Sequence, residues 1–196
     1  MCSSDLDFER KPMFYEINIE GLKRKLPLFA VDENLSIAAF IIFGDVEMTE
    51  VTAGALLKKA PEFHIIITAE AKSIPLIYEM TKQAGMNDYV IARKGRKVYM
   101  ANTMSQKVDS ITTRASQELF LGEADAAKLK GQKVLIVDDV ISTGESIKSL
   151  EKLVEAAGGS IAGKMAILAE GDAVGRDDII VLEHLPLFNP DGSVKA

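Results

Sequence analysis

Apolar and polar positions along the chain switch repeatedly between two periods. Val134 to Val137 form an apolar run with nothing charged until Asp138, and Phe63 to Thr68 form a similar one interrupted only by His64. Runs of this kind, bounded by turn residues, predict strands covered on both faces inside a parallel sheet. Behind the first, Ile147, Leu150, Leu153 and Val154 recur at helical spacing until Gly158 and Gly159 stop them; behind the second, Ile74, Ile77, Met80 and Ala84 do so until Gly85. Met48, Val51 and Ala55 predict one further helical face, with Lys58 and Lys59 at its C-terminal end and Pro61 beyond. Met13 to Ile19 alternates loosely and predicts an edge strand ended by Gly21, while Asp88 to Arg93, Ile161 to Ala169 and Ile179 to Leu182 predict three more strands. Ala124 to Leu129 predicts a short helix before Gly131. Two stretches stay ambiguous: Leu35 to Phe43 reads as strand or helix, and 109–113 with 117–121 as a hairpin or a mobile arm. Strands alternating with helices predict an α/β fold, a central parallel sheet flanked by helices with right-handed crossovers.

Composition narrows this to one domain. A chain of 196 residues with 47% hydrophobic content can fill one core and is short for two. The expected division is a disordered tail at 1–12 and a single domain over 13–196. The longest apolar stretch, Leu35 to Phe43, is about half the ~20 residues a bilayer span needs, so no membrane span is expected. The first nine residues carry acids where a signal peptide has bases, and the one cysteine, Cys2, makes no internal disulfide; a reducing cytoplasm is the expected location. A net charge of −6 excludes a general nucleic-acid binder. Yet Arg93, Lys94, Arg96, Lys97 and Lys107 all fall between Tyr89 and Val108, where there is no acid, a concentration that suits an anion.

The candidate chemistry lies at the ends of the two buried strands. Asp138 and Asp139 end the first, and Ser142, Thr143 and Gly144 make a tight turn before the helix. Free backbone N–H groups at such a helix start favour a phosphate, whereas the two acids would repel it. The acids suit a neighbouring hydroxyl pair or a water-bound magnesium ion. At the end of the second strand, Thr-Ala-Glu-Ala-Lys-Ser-Ile-Pro from Thr68 to Pro75 opens another set of backbone donors at the same sheet edge, with Lys72 adding charge. Both lie where open α/β sheets bind ligands, beyond the carboxyl ends of the strands. No metal-ligand spacing occurs, and His64 and His184 read as structural.

The string from Lys133 to Lys148 resembles the fingerprint of the type I phosphoribosyltransferases: a strand, two acids, two apolar residues, a small residue, then Thr-Gly and two small or polar positions. Glu70 to Ser73 resembles the pyrophosphate loop of the adenine and xanthine members, and Ala92-Arg93-Lys94 their Arg-Lys before a flexible loop. The resemblance covers about residues 63 to 170, in order and spacing. It implies a type I phosphoribosyltransferase-like fold with a small N-terminal hood over 13–43 and a flexible lid over 95–113. It also implies transfer of 5-phosphoribose from phosphoribosyl pyrophosphate (PRPP) to a purine base, with magnesium as cofactor, in a homodimer. Ser142, Thr143, Gly144, Glu145 and Ser146 would then hold the 5-phosphate. Asp138 and Asp139 would hold the ribose hydroxyls and, through water, magnesium. Ala71, Lys72, Ser73, Arg93 and Lys94 would hold pyrophosphate, with a cis peptide among Ala71, Lys72 and Ser73. Asp138, Asp139, Lys72 and Arg93 form the implied catalytic set, and Tyr99 and Met100 would help the lid to close.

Base choice rests on less. The hypoxanthine-guanine members place an Asp where this chain has Ser142; the xanthine members place a Lys where it has Gly171. Adenine is therefore the expected base, read by the apolar stretches Leu26 to Val31 and Leu35 to Phe40, with Leu28, Phe29 and Val140 as the candidate contacts. The alternatives are another base, namely xanthine, hypoxanthine, guanine or orotate, or a non-catalytic PRPP-binding regulator. That regulator would carry a helix-turn-helix, which the residues before the sheet do not supply.

Overall fold

The computed structural model describes residues 13–100, 102–108 and 117–195. Five strands form a parallel sheet in the order β10-β9-β8-β4-β5, with β4 at Ile65–Ala69, β5 at Val90–Ala92, β8 at Lys133–Ile141, β9 at Ser160–Glu170 and β10 at Ile180–Leu185. From β4 the chain winds outward to β5, and from β8 it winds the other way to β9 and β10. The direction reverses between neighbours β4 and β8, the crevice where a parallel sheet opens toward a ligand. Strand β8 extends further than its apolar run, because Asp138 to Ile141 continue to pair with β9 as far as Ala169.

Period-two alternation sends side chains to two cores. Ile66, Leu135 and Val137 face helices α1 (Val46–Lys59) and α2 (Ile74–Gln83), while Ile65, Ile67, Val134 and Ile136 face α3 (Glu123–Leu129) and α4 (Glu145–Ala156). Helix α1 buries Met48 and Ala55 of the predicted face and leaves Val51 half-buried; Thr49, Thr52, Ala53 and Leu56 complete the buried side. The two threonines are tolerated there because their hydroxyls donate to Asp45 O (2.7 Å) and Met48 O (2.6 Å), leaving no unmet polar group.

The N-terminal segment is a three-stranded antiparallel hood. Strands β1 (Phe14–Ile19) and β2 (Leu22–Ala30) join through Glu20 and Gly21, both at positive φ as a two-residue hairpin turn requires, and β3 (Ser36–Ala38) pairs with β2. The ambiguous stretch after Leu35 is thus a short strand followed by irregular chain. Arg24 fastens the hood to the start of α1 through Asp45 (2.7 Å) and Glu47 (2.8 Å). On the other side Ser36 and Phe188 exchange backbone hydrogen bonds, with the Phe188 ring against Tyr15. Strand β7 (Gln117–Leu121) pairs antiparallel with β6 (Met104–Val108). The expected tail at 1–12 and lid positions 101 and 109–113 lie outside the described residues. Of the lid residues that are described, Met100 is buried and Tyr99 is exposed. No described helix is long and apolar enough to cross a membrane.

Helix α4 returns into β9 through Gly158 and Gly159. A Cβ on Gly159 would stand 2.9 Å from Leu129 O and 3.1 Å from Val134 and Val154 side chains, all in the packed layer between α4 and the sheet. Gly159→Ala is therefore expected to lower stability by about 1–3 kcal/mol, the range for overpacking a close-packed site. Urea unfolding midpoints would read this, and an unchanged midpoint would show that the layer yields.

Candidate active site

Two turns open side by side at the crevice between β4 and β8. The first precedes α4. Its N-cap is Gly144 at φ +79, a backbone state suited to glycine, and no side chain caps the helix. Val140 to Ile147 and Asp138 enclose a hollow of about 40 Å³ there. The second turn precedes α2, whose N-cap, Ser73, also makes no capping bond. Helix α1, by contrast, is capped by the Asp45 carboxylate. The N–H groups of the first turn are thus left for an anion at α4; at α2 the Ile74 N–H goes to Ala71 O and Pro75 has none, so that turn offers fewer.

Ser73 does not cap because its hydroxyl is engaged across the crevice. It donates to Asp138 Oδ1 at 2.6 Å, stands 3.1 Å from Asp139 Oδ1, and accepts from the Asp139 N–H at 2.8 Å. One side chain therefore fastens the second turn to the acid pair. Lys72 lies 3.6 Å from Asp139 Oδ2, and that buried oxygen has no hydrogen-bond partner among the described residues. Burial and the adjacent Asp139 charge push the half-buried Asp138 carboxyl up to about 7.

The basic segment reaches the same place. Arg93 exchanges backbone hydrogen bonds with Phe120 of β7, which fixes its position, and its guanidinium lies 3.3 Å from Glu70. The other Glu70 oxygen accepts from the Lys94 N–H at 3.0 Å, while the Lys94 side chain is exposed. Nothing in the sequence pattern marks Glu70 as this partner; its only signal is an acid within a candidate anion loop. Arg93 Nε is buried and unpaired, a donor complementary to the orphan acceptor on Asp139. The cis peptide is Glu70–Ala71, one bond earlier than the expected position among Ala71, Lys72 and Ser73. Among the described residues no group of three or more His, Cys, Asp or Glu side chains could hold a metal. Asp138 and Asp139 fit a magnesium ion that takes its other ligands from water and a phosphorylated substrate, since the free Asp139 Oδ2 accepts either a metal-bound water or a hydroxyl.

Beside the turn that precedes α4 lies a cavity of about 500 Å³ lined by Val31, Leu35 and Ile37 of the hood, Leu187 of the C-terminal segment, Ser142, Thr143, Ser146, Glu170 at the end of β9, and Gly171 and Asp172 just after it. Burial raises the Glu170 carboxyl above its usual range, with the Lys72 charge pulling the other way. The hood thus supplies an apolar wall to this cavity through Val31, Leu35 and Ile37, which fall within the two apolar stretches named from the sequence, but not through the three candidate contacts. Leu28 turns with Leu22 and Leu26 toward the core, and Phe29, on the opposite face of β2, is exposed; neither lines the cavity. Val140 borders the phosphate hollow instead. Leu187 gave no signal beyond a short apolar run after Leu185. His64 accepts from the Lys133 N–H through Nδ1 and His184 lies exposed on β10.

Because Asp138 is held protonated in the fold to a higher pH than in the unfolded chain, the folded state loses ground as pH rises from 3.8 through about 7 and is flat above. Asp138→Asn removes that titration. The stability of the ligand-free wild type relative to the variant should fall over this interval in thermal unfolding, and parallel curves would place Asp138 in an ordinary aqueous environment.

The comparisons with known proteins agree with this geometry. Residues 50–186 match the phosphoribosyl transferase domain. An adenine phosphoribosyltransferase of Acetivibrio thermocellus is 30% identical over 154 residues, covering 75% of this chain and 84% of the relative. A hypoxanthine/guanine phosphoribosyltransferase of Methanothermococcus okinawensis is 35% identical over 114 residues, covering 58% of this chain and 57% of the relative. The crystal structure of adenine phosphoribosyltransferase from Thermoanaerobacter pseudethanolicus shares the fold with a TM-score of 0.64 at 24% identity, covering 88% of this chain and 95% of that one. Sheet order, paired turns and sequence match lead to the same assignment: the chain belongs to the phosphoribosyltransferase family.

Proposed function

We propose that this protein is a purine phosphoribosyltransferase that joins 5-phosphoribose from PRPP to a purine, with adenine as the preferred base, releasing pyrophosphate and the nucleoside monophosphate. The observation that carries the reading is the Ser73 bridge, which fixes two anion turns on either side of one acid pair. That spacing suits a sugar with a monophosphate at one end and a diphosphate at the other. Ser142 to Ser146 receive the 5-phosphate and Asp138 and Asp139 the ribose hydroxyls. Lys72, Arg93 and Lys94 with the Ala71 and Ser73 backbone receive pyrophosphate. The cavity between hood and turn receives the base; its apolar walls suit a planar ring. Adenine is favoured because Ser142 leaves that position without a carboxylate, and several of the matched relatives carry adenine phosphoribosyltransferase as their name.

In the reaction a ring nitrogen of the base forms a bond to the anomeric carbon as the bond to the pyrophosphate oxygen breaks, with inversion. Positive charge develops on the sugar, so the site must hold the ribose still and neutralise the departing anion. Magnesium, when bound with PRPP, supplies part of that neutralisation, held through water by Asp138 and Asp139. Residues 95–113 act as a lid that keeps water from the sugar cation. Exposed Val46 and Tyr78, with Ile41 and Phe43 nearby in sequence, support assembly as a homodimer, and a single cysteine suits the cytoplasm.

The test is pyrophosphate release from PRPP with adenine, hypoxanthine, guanine, xanthine and orotate in turn. Release should be fastest with adenine; tight PRPP binding without release from any base would favour a regulator instead. Asp139→Asn should lower kcat/KM about 10- to 100-fold, the worth of one charge-assisted contact, and wild-type turnover would remove that residue from the site. Lys72→Ala should weaken pyrophosphate inhibition about tenfold and leave the KM for the base unchanged.

A further inference from the structure

Arg176 lies outside every motif that marks the phosphate turn, in the segment between β9 and β10. Its Nε and Nη2 donate to Asp178 at 2.8 and 2.7 Å, a bidentate pair. Asp178 also accepts from Lys164 of β9 at 2.6 Å, and Lys164 pairs with Glu151 of α4 at 2.8 Å. These alternating charges link the β9–β10 connection through β9 to Glu151 on the helix that Gly144 begins, and the remaining guanidinium nitrogen lies toward that glycine. Arg176 Nη1 has no hydrogen-bond partner among the described residues, and a Cβ on Gly144 would stand 2.5 Å from it. The guanidinium occupies the space a side chain at Gly144 would need.

We propose that Arg176 is a positioning residue of the phosphate turn, whose guanidinium braces Gly144 and sets the affinity for the phosphomonoester end of the substrate. This rests on the reading of Ser142 to Ser146 as the 5-phosphate site. The turn's own acid, Glu145, is tied to Lys148 at 2.8 Å and so does not oppose the phosphate at full strength. The ion-pair chain is neutral as a whole and presents its cationic end to the turn. Arginine suits the task because two of its nitrogens can be spent on a carboxylate while a third, held in the same plane, faces elsewhere. The half-buried position limits screening.

The test compares wild type, R176M and R176K as full chains, with ribose 5-phosphate and pyrophosphate as separate inhibitors against PRPP. R176M should raise the inhibition constant of ribose 5-phosphate and the KM for PRPP about tenfold. Its kcat should stay within about twofold, because the contact is equal in ground and transition states. Pyrophosphate inhibition should not move. R176K keeps the cation and loses the fork to Asp178, so about a threefold rise in the ribose 5-phosphate constant is expected; this arm decides the matter should R176M fail to fold. An unchanged ribose 5-phosphate constant in R176K, or an equal loss for pyrophosphate in either variant, overturns the proposal. Absence of ribose 5-phosphate competition in the wild type overturns the phosphate-turn reading and this proposal with it, whereas competition that R176M leaves intact overturns this proposal alone.

Discussion

The hydroxyl of Ser73 is the contact on which the site depends. Two carboxylates at the end of one strand cannot both be charged and buried without compensation. Here the compensation comes from the neighbouring strand: a hydroxyl that donates to one acid and accepts from the backbone of the other, with an ammonium behind it. Because Ser73 also begins α2, the position of that helix start is set relative to β8 by the same bond. The two turns are consequently one assembly.

Two of the bases near the crevice rest on an acid: Lys72 on Asp139 and Arg93 on Glu70. This resolves an apparent conflict between an acidic protein and an anion site. In the ligand-free state the positive charges are balanced locally, and a phosphorylated substrate would exchange these partners for its own. Such pairs contribute little net stability, since desolvation offsets most of their attraction. Their value lies in holding long side chains near the geometry they need, which reduces the ordering cost at binding. The orphan atoms Arg93 Nε and Asp139 Oδ2 mark where the internal balance is incomplete.

The hood follows a different logic. It is fastened at both sides, by Arg24 to the start of α1 and by the Ser36–Phe188 bridge to the C-terminal segment, so the apolar wall of the cavity belongs to a braced structure. Which hood residues face the cavity depends on strand alternation. A shift of one residue in β2 would exchange Leu28 with Phe29 and turn the strand's other face toward the core.

Much of the sheet, its helices and the chemistry of the two strand ends was legible from the chain alone. Uninterrupted apolar runs have one stable environment, and glycine after an apolar helix face has one common use, so residues 63–85 and 133–159 declared their elements locally. Asp138, Asp139, Lys72, Arg93 and the Ser142 to Ser146 turn could be singled out as candidates for the same reason: they adjoin those elements in sequence. Tertiary structure alone decided the rest. The Ser73 bridge spans 65 residues, Glu70 meets Arg93 only because β4 and β5 are neighbours, and Arg176 reaches Gly144 from the far side of β9. That Leu28 and Phe29 do not line the cavity could not be read from the chain, because the inward face of a hood strand is set by pairing partners elsewhere. Local sequence fixes what a residue can do, whereas which groups it meets depends on strand order and register, which are properties of the whole sheet.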